Sequence, residues 1–127
     1  MKALGVRQPW AWVIIRAGKD IENRTWVTNY LGALAIHAGK TCTVGDWEDG
    51  VWLIKQLAGK NPPPQESPRL GRGAVIGIVE LVDRTPAAHA DGWGGQNPSV
   101  FHWHLRNPRP CKPAVVRGSL GLFEVKL

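Results

Sequence analysis

The side chains able to do chemistry in this 127-residue chain crowd between Arg7 and Trp26, RQPWAWVIIRAGKDIENRTW, where three Trp, three Arg, a Lys and a Glu occupy twenty positions. Lys and Arg attract phosphates, aromatic planes stack unpaired bases, and a carboxylate accepts hydrogen bonds from exocyclic amines. Together they suit a single-stranded or flipped nucleotide better than a duplex. The same groups admit acid–base work. A Lys beside a carboxylate can be tuned to act as a base, and Glu80, further along, can move protons in a hydrolysis. The candidate ligand-binding residues are Arg7, Gln8, Trp10, Lys19, Glu22, Arg24 and Trp26. The candidate catalytic residues are Lys19, Glu80 and Glu22.

These residues need elements to aim them. Pro9 suits the first turn of a helix, and Trp10, Val13, Ile14 and Ala17 recur at helical spacing, which predicts a helix over residues 8–16. Gly18 follows as a terminator, and residues 21–26 read as a strand. Alternation along that strand puts Glu22, Arg24 and Trp26 on one face and Ile21, Asn23 and Thr25 on the other, with Lys19 at the preceding turn. Residues 2–6 and 33–38 are further short strands, the second closed by His37, whose lone imidazole is read as structural. Asp46 is the expected cap of a second helix over residues 47–58, ended by Gly59 and weakened by Gly50.

The run from Gly59 to Arg72 holds four prolines and is expected to be an exposed loop. Residues 73–83 form the most strand-like segment, and Glu80 breaks its apolar pattern. Its carboxylate requires a cationic partner or loses ionisation. Residues 85–99 read as a helical turn and a loop, with Trp93 among glycines, either open for stacking or folded onto the core. Residues 101–106 alternate as a strand, with His102 and His104 on one face but no third ligand at metal spacing. Three prolines between Asn107 and Pro113 mark that stretch as a connection, and closing strands follow at residues 115–116 and 120–127. Of the seven tryptophans, most are expected in the core, with Trp10, Trp12 and Trp26 as exceptions.

The helix beginning Gln8-Pro9-Trp10 followed by Gly18-Lys19-Asp20-Ile21-Glu22-Asn23-Arg24 resembles the signature of the ASCH domains (activating signal cointegrator homology) of the PUA-like superfamily. The similarity extends through residues 32–38, 73–81 and 118–123. The resemblance implies an α+β fold, a PUA-like β-barrel with two or three packed helices, as one domain over residues 1–127. It also implies binding of RNA or a nucleotide. One branch of the group consists of small amidohydrolases that deacylate N4-acetylcytidine with a Lys, a Thr and a Glu. Their Lys matches Lys19, their strand Glu matches Glu80, and Glu22 stands where they have the Thr nucleophile. A carboxylate there can only activate water. Some members are reported to act as ribonucleases on single strands.

Composition narrows the classes. At 127 residues and 43% hydrophobic content the chain is about one domain with a core of its own. It has no apolar run of membrane length and no secretory leader pattern, so a cytoplasmic protein is expected, with a monomer as the default and no cofactor. Cys42 and Cys111 are expected as free thiols. The net charge is +6, and residues 1–40 hold six basic and two acidic side chains, residues 106–127 five and one, and the middle five and seven. Two basic ends make a positive surface if the fold brings them together. The expected function is a nucleic-acid-binding module for single-stranded RNA or a nucleotide, with the hydrolase for N4-acylated cytidine or a ribonuclease as the alternative.

Overall fold

The computed structural model describes all 127 residues. In chain order the elements are β1 (Lys2–Val6), α1 (Trp10–Arg16), β2 (Ile21–Arg24), β3 (Gly32–Ala38), α2 (Val44–Ala58), β4 (Ala74–Pro86), β5 (Phe101–Val115) and β6 (Leu122–Glu124), with a 3-10 turn at Pro68–Leu70. The fold is α+β. Six strands form one mixed sheet in the order β2-β5-β4-β3-β1-β6, with β1 and β3 parallel and the other pairs antiparallel.

The sheet does not close into a barrel. Its outermost strands, β2 and β6, have four and three residues and no pairing with each other. β6 covers β1 only at Lys2, Ala3 and Leu4, so the far end of β1 is left open on that edge. There the Gly5 carbonyl accepts from Arg24 Nη2 of β2 at 2.6 Å. A side chain bridges where a closed barrel would pair backbones.

Two apolar clusters sandwich the sheet. On one face α1 buries Ala11, Ile14 and Ile15 against Leu34, Ile36, Val79, Leu81, Trp103 and Leu105. On the other, Ala3, Ala35 and Val75 are covered by Val125, Phe123 and Val116 of the closing segment. A third cluster joins the helices, with Ile54 of α2 against Val13 and Ala17 of α1. No helix is long and apolar enough to cross a membrane.

Several boundaries depart from the sequence expectations. α1 starts at Trp10, with Pro9 one place before it. α2 starts at Val44 because Thr43 is its cap. The Thr43 hydroxyl accepts from the Asp46 amide while the Asp46 carboxylate accepts from the Thr43 amide, so Asp46 is the inner half of a capping box. The segment from Asn107 to Pro113 is strand rather than connection. β5 pairs with β4 along its length but with β2 only from Phe101 to His104, so beyond His104 one edge is free and missing proline N–H groups cost the sheet little. Residues 87–99 contain no helix, only a bridge between Asp91 and Gly94 and turns at residues 92–93 and 98–99.

Candidate functional site

Glu22, on β2, is all but sealed from solvent, and its carboxylate lies between two cations. Oε1 accepts from Lys19 Nζ at 3.0 Å, and Oε2 accepts from Arg24 Nε at 3.1 Å and Nη2 at 2.8 Å. Lys19 is itself 5% exposed and also donates to the Ile21 carbonyl. Burial is the strongest single influence on Glu22 and acts to raise its pKa. The charges of Lys19 and Arg24, with the hydrogen bonds they donate, together outweigh it and hold the carboxyl below its ordinary value of 4.5. The triad therefore carries one net positive charge. The local sequence explains the grouping. Gly18, at φ 81°, lets the chain leave α1 and present Lys19 to the side chain three residues on.

The triad lines a cavity of 520 Å³, which lies in the gap between the open end of β1 and β2. Trp10 of α1, Trp26 after β2 and Trp93 supply aromatic walls, Leu53 of α2 closes one side, and Arg7 stands at the rim. Two of these walls and the rim are braced. Trp26 packs edge-on against fully buried Trp103 at 4.8 Å, and its carbonyl accepts from the Trp103 indole. Arg7 Nη2 meets Asp46 Oδ2 at 2.8 Å, which ties the rim to the cap of α2. Asn23 donates to the Trp93 carbonyl and accepts from the Gly95 amide, while His102 Nε2 meets the Gly95 carbonyl at 2.8 Å. The glycine-flanked loop is thereby docked beside the cavity.

Of the residues singled out in the sequence, Arg7, Trp10, Lys19, Glu22, Arg24 and Trp26 converge on this cavity. Gln8 does not. It is fully buried, donates from Nε2 to the Leu70 and Gly71 carbonyls and accepts from the Trp12 amide, so it fastens the proline-rich loop to the start of α1. Glu80 also lies elsewhere. A register shift between Val75 and Gly77 resets the alternation of β4, so Val79 and Leu81 face α1 while Glu80 points away and meets Arg109 Nη2 at 3.0 Å. The cationic partner required for Glu80 is this arginine. Trp12 packs between the helices beside Val13 and Ile54.

The remaining candidates are structural. His37 Nε2 meets the Val116 carbonyl at 2.8 Å and its ring packs against Phe123, and His104 Nε2 meets the Thr85 hydroxyl at 2.8 Å. Cys42 and Cys111 are free thiols, and burial raises both pKa values. Trp93 and Leu53 were missing from the expected site. The signal for Trp93 was its setting among glycines with no local packing, while Leu53 gave none, because only the placement of α2 brings it to the cavity.

A family model described as ASCH domain matches residues 4–114. The chain belongs to the ASCH domain family. Activating signal cointegrator 1 from Mus musculus is 33% identical to this ASCH domain over 82 residues, a stretch that is 63% of the chain and 14% of that relative. The crystal structure of ASCH from Zymomonas mobilis matches the domain with a TM-score of 0.60 at 12% identity, covering 98% of this chain and 87% of that one. A mutant of the same protein matches with the same TM-score over 98% and 89% of the two chains. At that identity the likeness is one of fold.

Proposed function

We propose that this ASCH domain binds single-stranded RNA by admitting one unpaired nucleotide to the cavity between β1, β2 and α2. The base lies against Trp10, Trp26 and Trp93, and Arg7, Lys19 and Arg24 supply the positive field. The observation that carries the reading is a Lys19–Glu22–Arg24 triad, its Lys and Glu nearly sealed from solvent, lining a cavity with three tryptophan walls. Apolar residues often replace such a triad at no cost in stability, so its retention beside a cavity favours a ligand as its reason. A pocket of this volume lies within the usual range of about 300–1,000 Å³ for small-molecule sites. A base inside a duplex cannot enter it.

The hydrolytic alternative has less support. It needs Lys19 and Glu80 at one reacting bond, and Glu80 borders neither of the two cavities that Lys19 lines.

Fluorescence anisotropy with a labelled RNA, single-stranded and then annealed to its complement, tests the proposal. The single strand is expected to bind more tightly, with affinity falling as salt rises, and Lys19→Ala to weaken binding and flatten the salt dependence. That variant leaves Glu22 short of a partner and is expected to lose about 3–5 kcal/mol of stability, so its fold must be confirmed by circular dichroism. Equal affinity for the duplex, or no affinity for either RNA in the wild-type protein, rejects the proposal.

A further inference from the structure

Apart from the Thr25 hydroxyl, the side-chain acceptors around the cavity are engaged within the protein, while donors are left over. Glu22 accepts through both oxygens from Lys19 and Arg24. Asn23 Oδ1 accepts from Gly95. Arg24 spends Nε and Nη2 on Glu22 and Gly5, and Nη1 has no partner in the protein. Lys19 spends two donors, on Ile21 and Glu22, and an ammonium has a third. Of the lining side chains, the Thr25 hydroxyl alone keeps an uncommitted oxygen.

We infer that the cavity selects guanine, recognised through the adjacent O6 and N7 acceptors of its major-groove edge by Arg24 Nη1 and Lys19 Nζ. This rests on the RNA-binding reading above and adds the identity of the base. Adenine places an amino group beside N7, so a donor on the base meets a donor on the protein, and a desolvated donor without an acceptor is strongly rejected. Uracil separates its two oxygens with an N–H. Cytosine has adjacent O2 and N3 acceptors, but its single ring fills less of a 520 Å³ cavity walled by three tryptophans. The 2-amino group of guanine takes no part, so hypoxanthine is accepted equally.

Heptamers of uridine with guanosine, inosine, adenosine, cytidine or uridine at the centre, titrated into the wild-type protein, test the inference without any variant. Guanosine and inosine are expected to bind about tenfold or more tightly than adenosine, in line with one well-placed bidentate contact. Binding of every heptamer with no preference, or a preference for adenosine or cytidine, overturns guanine selection and leaves RNA binding standing. Failure of all five to bind overturns both. Arg24→Lys keeps the charge and loses the forked donors, and with its melting temperature as a check on folding it is expected to bring the guanosine-to-adenosine ratio near one. An unchanged ratio in a folded Arg24→Lys protein removes Arg24 from the recognition.

Discussion

Glu22 has so little contact with solvent that its charge is held by Lys19 and Arg24 instead of by water, and this ties acid stability to the site. Its pKa in the fold lies below the ordinary 4.5, so its stabilising contribution is complete above about 4.5 and is lost as pH falls through the lower folded value. Glu22→Gln is therefore expected to lose less stability than wild type between pH 7 and pH 3, measured by urea unfolding. Gln8 differs in kind. Gln8→Ala is expected to destabilise by about 1–3 kcal/mol for each buried group left unpaired, and to leave RNA affinity unchanged while the protein is folded. The triad was legible because its members lie within six positions of one another and strand alternation aims Glu22 and Arg24 together. The role of Gln8 was not, because its acceptor Leu70 is 62 residues away. Glu80 was grouped with Lys19 for a third reason, since the family resemblance pairs the two residues and carries no record of the Arg109 guanidinium that Glu80 meets in this chain.

At the scale of elements, the approach of the two helices depends on Gly50. A Cβ at that position would lie 2.2 Å from Pro9 Cγ, so α2 can lie against the start of α1 only where the side chain is missing. Helix propensity alone gives Gly50→Ala a gain of about 0.5–1 kcal/mol. Overpacking costs about 1–3 kcal/mol and is expected to win, so the variant should melt below wild type. A higher melting temperature would show that the helices part easily. Both helices were visible in the sequence from their periodicity and from Gly59, whose left-handed backbone ends α2 as expected. The glycine that seemed only to weaken α2 is what lets it pack, and this depends on a residue in another element. The prolines of β5 teach the converse. They forbid a central strand but not one with a free edge, and edge status is settled by which strands pair, a property of the whole sheet.

For the whole molecule, the open sheet and the cavity are one feature. β6 stops short along β1, β2 lies at the opposite margin, and the gap between them holds the triad, with Arg24 reaching across to Gly5. The two basic ends of the chain do meet, as β1 pairs with β6 and the Met1 amine contacts Glu124 and Val125. Family resemblance carried the α+β class and misled on closure, since the missing pairing between the outer strands is a matter of strand length. The most direct test follows the seven tryptophan indole N–H signals by NMR while a single-stranded RNA is added. Trp10, Trp26 and Trp93 line the cavity, whereas Trp52 is 66% exposed on the outer side of α2 and Trp103 is wholly buried. The expected result is that the signals of Trp10, Trp26 and Trp93 shift together while that of Trp52 stays in place. A shift confined to Trp52, or saturable binding that leaves the three cavity tryptophans unmoved, would contradict the proposed site.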